Sequence, residues 1–175
     1  IMLTNIKHGK IDLSCIADGG FKPYKDGKIW SDELNRAFKT YREIFIPAGR
    51  YYVDRSLIVP SDTKIYADEH AEIVLTKGTG TLLLRNESVI DGSDYKIPDD
   101  APCDENISVC GGIWGEENEE RLGYGASGRF DENDTYHGVS TCFLFSGVCG
   151  LTLKNLVFRA AAGFACQIGR TDGFT

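Results

Sequence analysis

The fold class this sequence predicts is all-β: a right-handed parallel β-helix with a short N-terminal capping α-helix. Three observations predict it. Short apolar runs recur between residues 43 and 75, at Ile44-Phe45-Ile46, Leu57-Ile58-Val59, Ile65-Tyr66-Ala67 and Ile73-Val74-Leu75. Only a few turn residues separate them, so no helical crossover fits between consecutive strands. Few of the gaps look like two-residue hairpin turns either. A chain that keeps winding in one direction, stacking each strand on the previous coil, meets all three conditions.

Residues 1–30 read as a lead-in with turn signals at Asp18-Gly19-Gly20 and Asp26-Gly27. A helix is expected over 31–42. Ser31 suits the N-cap, and Asp32 and Glu33 put negative charge where the helix dipole favours it. Leu34, Ala37, Phe38 and Tyr41 follow i, i+3, i+4, i+7 spacing, which makes one face apolar. Such a helix would plug the open end of a coil stack. A surface helix on another α+β fold gives the same pattern.

Residues 43–175 read as the first coils. Strands are expected at Thr81 to Leu84, Asn106 to Val109 and Ile113-Trp114, with Trp114 packing at the edge of a coil. From about 115 to 138 the rhythm breaks, which predicts a long loop. It returns at Phe143-Leu144-Phe145, Leu151-Thr152-Leu153, Leu156-Val157-Phe158 and Cys166-Gln167-Ile168. Asn155 falls at a bend, where its side chain could satisfy backbone groups and stack with equivalents above and below. Ile1 is not a natural start residue and the pattern is still running at Thr175. The chain therefore reads as the N-terminal portion of one longer domain, whose bare end should associate end to end.

The 175 residues carry 19 basic and 26 acidic side chains, a formal net charge of -7. That balance argues against a nucleic-acid partner and, short of a local basic patch, against an anionic polymer. The longest apolar runs are far short of a membrane span, and no signal peptide is visible. Localisation would be extracellular or periplasmic if the parent protein has a signal peptide, and cytoplasmic otherwise. The 6 cysteines permit short disulfide loops at Cys103/Cys110 and Cys142/Cys149. Against this, Cys142, Cys149 and Cys166 lie in apolar, strand-like surroundings that suit free thiols. Without Cys-x-x-Cys spacing, and with 3 histidines, neither a metal nor a cofactor is expected.

Several segments resemble a known family. F-I-P-A-G-R-Y-Y (Phe45 to Tyr52) resembles an F-I-P-A-G-x-Y signature, and P-S-D-T-K-I-Y-A-D-E-H-A-E-I-V-L (Pro60 to Leu75) resembles an S-N-V-T-L-x-L-x-x-G-A-x-L coil. N-I-S-V-C-G-G-I-W-G (Asn106 to Gly115) and F-L-F-S-G-V-C-G-L-T-L-K-N-L-V-F (Phe143 to Phe158) are similar to two further coils of the same pattern. The family is the polygalacturonase-like glycoside hydrolases, within the pectate-lyase-like β-helix superfamily. The resemblance implies a polysaccharide or oligosaccharide substrate, pectin-like, cleaved with inversion by a cluster of aspartates. The family carries these in N-T-D and G-D-D motifs, followed by G-H-G and R-I-K. The last three are not among these residues, so the catalytic centre is expected downstream.

Arg170-Thr171-Asp172-Gly173 resembles N-T-D-G and makes Asp172 a catalytic candidate, although Asp-Gly is also an ordinary turn. Asp99-Asp100 looks like a carboxylate pair but lies between Pro98 and Pro102 in an expected exposed loop. In the long segment, Arg121, Arg129, Tyr136 and His137 are candidates for substrate contact. Aromatic rings stack on sugar faces, and arginine forks a uronate carboxylate. A solvated acidic loop accounts for the same residues. The Asn-x-Ser/Thr sequons at Asn86, Asn106 and Asn133 need no glycan to explain them. Two other function classes remain open: a polysaccharide lyase or epimerase on the same scaffold, and a non-enzymatic tail-spike or adhesin β-helix.

Overall fold

The computed structural model describes residues 6–7, 10–13, 21–79, 81–89, 103–117, 129–130, 136–137, 141–161 and 164–175. The chain is mostly β, with one α-helix among the described residues, Ser31–Thr40. Three large sheets hold most of the described strands, and their pairings are parallel apart from one antiparallel pair at an edge.

In spatial order the first sheet runs Ile6–Lys7, Lys10–Asp12, Glu43–Ile46, Lys64–Ala67, Asp104–Cys110 and Val148–Lys154. The second, taken from its oldest strand, runs Gly49–Val53, Ala71–Leu75, Ile113–Glu116 and Val157–Arg159. The third runs Leu57–Val59, Leu84–Asn86, Thr141–Ser146 and Phe164–Gly169. From Glu43 onward the chain visits first, second and third sheet in that order, four times over. Each such circuit adds one strand to the same side of every sheet.

The registers align the inward side chains in columns. Ile44, Ile65, Val109 and Leu153 are successive partners across the first sheet. Tyr51, Ile73, Trp114 and Phe158 form the column of the second, and Leu57, Leu84, Phe143 and Cys166 that of the third. The middle members are fully buried, each contributing roughly 1.5–3 kcal/mol for a large apolar side chain. Phe143 is the hub: its ring meets Trp114 at 5.0 Å and Phe158 at 4.9 Å, edge to face. Trp114 is thus a central core residue rather than one at a coil edge. Its ring N–H donates to the carbonyl of Gly111 at 2.9 Å, so burial leaves no polar atom stranded.

The N-terminal side of all three sheets is covered. Lys10–Asp12 pairs alongside Glu43–Ile46 in the first sheet. Ile29 bridges to Tyr52 in the second, and the N–H of Trp30 donates to the carbonyl of Tyr52 at 2.7 Å. The helix covers the third: the Asn35 side chain donates to Ser56 O at 3.0 Å and accepts from Ile58 N at 2.7 Å, taking the place of a neighbouring strand. Leu34, Ala37 and Phe38 are buried as their spacing predicts. The hairpin Pro23–Tyr24 and Gly27–Lys28 turns at Lys25-Asp26. It is fastened by Tyr24 Oη and Lys25 Nζ, which both donate to the Glu117 carboxylate, at 2.7 and 2.6 Å.

Several expectations need correction. Ser31 is not the N-cap; Trp30 holds that position without a side-chain cap bond. The Ser31 hydroxyl instead donates to Asp54 Oδ1 and accepts from Asp54 N, both at 2.8 Å, tying the helix to the end of Gly49–Val53. The strand expected at Thr81 to Leu84 is Leu84–Asn86. Gly49–Val53 is a further strand that alternation does not announce, with two exposed residues followed by three buried ones. The long loop does not begin at 115, because Gly115 and Glu116 belong to Ile113–Glu116. Within it, Arg129–Phe130 and Tyr136–His137 form a short antiparallel ladder. Asn155 does sit at a bend with a left-handed φ of 55°, but its equivalent one circuit earlier is Gly111, φ 78°, so no asparagine stack forms there. A Cβ on Gly111 would lie 2.1 Å from the carbonyl oxygen of Ala67, which excludes any other residue without backbone movement.

Because Leu34 is fully buried beneath the third-sheet edge, Leu34→Asp should place an unpaired charge there. A loss of about 3–5 kcal/mol, or a thermal midpoint lower by about 10 °C, is expected. A melting curve that superimposes on the parent would refute this packing of the helix.

Candidate functional site

Among the described residues, an open groove of about 310 Å³ is lined by Glu105, Asn106, Cys149, Gly150, Asp172 and Gly173. It follows the corner where the chain passes from the third sheet into the first. Sequence and register explain why the corner bends there in each circuit. Asn106 and Gly150 have φ of 54° and 80°, Asp62 before them 57° and Gly173 after them 68°. Asp, Asn and Gly are the residues that enter this left-handed region at least cost. The side chains interlock: Asn106 Nδ2 donates to Asp62 Oδ1 at 2.9 Å. The backbone continues the stack, with Asp62 N donating to Glu105 O and Gly150 N to Asp172 O, each at 2.7 Å.

Beneath the groove a buried polar network fixes the corner. Asn86 Nδ2 donates to Asp104 Oδ2 at 2.7 Å and to Ser146 O at 2.8 Å, and Asn86 Oδ1 accepts from Ser146 N at 2.9 Å. Ser88 N donates to the same Asp104 oxygen at 2.8 Å, and Ser61 Oγ reaches Asp104 Oδ1 at 3.3 Å. Asn86 is fully buried, so its sequon is a structural amide, not a glycan acceptor. The second and third circuits, and the turn that enters the second, are joined through these side chains.

Glu105, Cys149 and Asp172 stand in one row across three circuits: Glu105 is the register partner of Cys149, and Cys149 bridges to Asp172. All three are exposed. Two strand spacings of about 4.8 Å put the backbones bearing the carboxylates roughly 10 Å apart. Desolvation pushes the Cys149 thiol up, followed by its hydrogen bond to the Cys103 thiol and by the charges of Asp172 and Glu105. Neither carboxyl is buried, and a general acid for glycoside cleavage works from a desolvated one. The row can accept hydrogen bonds from hydroxyls, but nothing in it is built to protonate a leaving group.

Asp172, the catalytic candidate, is therefore in the groove, held by its backbone: its N–H donates to Val148 O at 3.0 Å. Of the expected substrate contacts, Arg129 and His137 are direct register partners, and Tyr136 is opposite Phe130. Arg121, Asp99, Asp100, Cys15 and Asn133 lie outside the described residues. Glu116 and Glu117 do not belong to a solvated acidic loop. Glu116 is buried, and Glu117 is partly buried against the N-terminal hairpin. Burial raises the Glu117 carboxyl, but hydrogen bonds from Lys25 and Tyr24 outweigh it and hold the group below the usual range.

The cysteines divide between packed and exposed positions. Cys103, Cys110, Cys142, Cys149 and Cys166 are all free thiols, so neither short loop is closed. Cys142 and Cys166 pack as small apolar groups. Burial lifts Cys142 well above the ordinary thiol value and pushes Cys166 up to about 11. Cys149 is exposed, not packed. Among the described residues, no group of three or more His, Cys, Asp or Glu side chains could hold a metal ion, and no helix is long and apolar enough to cross a membrane.

Sequence reasoning did not find Glu105, Asn106, Cys149 or Gly150. A signal was present: D-T-K-I, N-I-S-V and G-L-T-L, starting at Asp62, Asn106 and Gly150, each place a left-handed-prone residue before the strand alternation. Comparison with protein-family models, curated proteins and solved structures finds no match to this chain.

Because the Cys149 thiol is raised above its ordinary value, its reactive thiolate becomes abundant only in alkaline solution. Its alkylation by iodoacetamide, followed by peptide mass mapping, should keep accelerating as the pH rises from 7 to 9. A rate that levels off below pH 8 would contradict this electrostatic setting.

Proposed function

We propose that the chain is the N-terminal part of a right-handed parallel β-helix domain. We propose further that its parent protein is a polygalacturonase-like glycoside hydrolase acting on pectin-like polysaccharide by inverting acid/base catalysis. One observation carries this reading: four circuits through three parallel sheets in one fixed order, behind a helix on the first third-sheet edge. The family-like segments also fall in equivalent places. Phe45 to Tyr52 turns from the first sheet into the second, Asn106 to Gly115 makes the same turn two circuits later, and Phe143 to Phe158 spans all three sheets. A pattern of stacked coils requires that equivalence.

The groove supports a supporting role for these residues. Glu105 and Asp172 are exposed carboxylates suited to sugar hydroxyls, and they repel a polyuronate chain. Neutral or methyl-esterified segments of the polymer fit this stretch better. The bond-breaking aspartates are assigned to coils downstream, since the G-D-D, G-H-G and R-I-K motifs are not among these residues.

The product of the full reading frame is expected to release reducing ends from methyl-esterified pectin or polygalacturonate, with the first-formed anomer inverted by NMR. The 175-residue chain alone should release none. Unsaturated products absorbing in the ultraviolet would replace hydrolysis with a lyase. Absence of any product, with stable trimers, would favour a spike or adhesin. Turnover by the short chain, abolished in Asp172→Asn, would move the catalytic centre to Asp172.

A further inference from the structure

We propose that Cys103 and Cys149 are a thiol–disulfide modification site, closed by a small-molecule disulfide such as oxidised glutathione into a staple between the third and fourth circuits. The backbone brings them together. Glu105 and Cys149 are register partners on adjacent strands, and Asp104 N donates to Gly147 O at 2.8 Å, so residue 103 meets the fourth circuit at its turn. Counting back along that register sets Cys103 against Gly147, a diagonal neighbour of Cys149 about 7–8 Å away at the backbone, so closure draws the chain at Cys103 toward Cys149 by about 1 Å. Both cysteines are exposed, and the neighbouring Cys103 thiol helps to keep Cys149 protonated.

The other described thiols do not compete. Cys110 ends the strand Asp104–Cys110, about 23 Å along an extended chain from Cys103. Cys142 and Cys166 are held in apolar surroundings, and Cys142 is fully buried.

The chemistry balances without a metal. One protein thiol loses its proton and attacks a sulfur of the small disulfide, breaking its S–S bond and releasing one small thiolate. The second protein thiol, deprotonated in turn, attacks the protein sulfur of that mixed disulfide and expels the other. The two protons end on the two released thiolates; the protein pair is oxidised and the small disulfide reduced. The groups facing Cys149 are Cys103, Glu105 and Asp172. The two carboxylates oppose thiolate formation, so closure accelerates as pH rises. The bond crosses the wall of the groove beside Asp172 and would fix its width. It also closes a long loop containing the rest of the third circuit, which constrains the unfolded chain strongly.

The test uses the full chain, reduced and then equilibrated with oxidised glutathione at pH 8.5. Peptide mapping without reductant should show one intramolecular link joining the peptides that carry Cys103 and Cys149. The thermal midpoint should rise by about 5–10 °C and return on reduction. Cys103→Ser and Cys149→Ser should each remove both effects, and Cys110→Ser neither. A link between any other pair, an intermolecular link, or glutathione adducts that never resolve would overturn the proposal.

Discussion

From Glu43 onward, every strand of the three large sheets takes backbone partners from the strand one circuit away, and this dependence organises everything else. A strand such as Leu84–Asn86, three residues long, could not persist alone. It is held by Leu57–Val59 on one side and Thr141–Ser146 on the other. The pairing forces equal register in all circuits, and equal register puts inward side chains into columns. The first strands of each sheet have no earlier circuit to lean on. The chain supplies substitutes: a short strand, a bridged isoleucine, and an asparagine side chain on a helix.

The same stacking makes corners repeat, and the repeated corner produces the groove. A row of left-handed residues turns the backbone in each circuit, and the side chains flanking them stand outward in register. That is how Glu105, Cys149 and Asp172, far apart in sequence, come to share one surface. The buried amide–carboxylate network under them keeps the spacing between circuits fixed. A half-satisfied network there would cost more than an apolar corner, and each polar atom named in it has its partner.

Much of this architecture is legible in the residues. Leu57-Ile58-Val59 is a strand with those bounds, and the helix buries the face its spacing predicts. Apolar alternation reports the local period, and circuits with short turns preserve it. Legibility failed where burial is decided by distant chain. Ser31 resembles a cap, yet its hydroxyl is claimed by Asp54, which follows the strand Gly49–Val53. Glu116 and Glu117 resemble a solvated run, yet one is buried and the other is gripped by the N-terminal hairpin. The groove was illegible for a related reason. Its members belong to three circuits, and only the register of parallel pairing says which residues coincide.

The corner at Asn106 and Gly150 has one further consequence. Growth of this molecule by mutation is quantised. A single residue added between Asn106 and Gly111 would swing half a strand inside out against both neighbours and empty a column of its apolar contacts. Additions are tolerable only as whole circuits, or within the long connections that leave one sheet and return to the next.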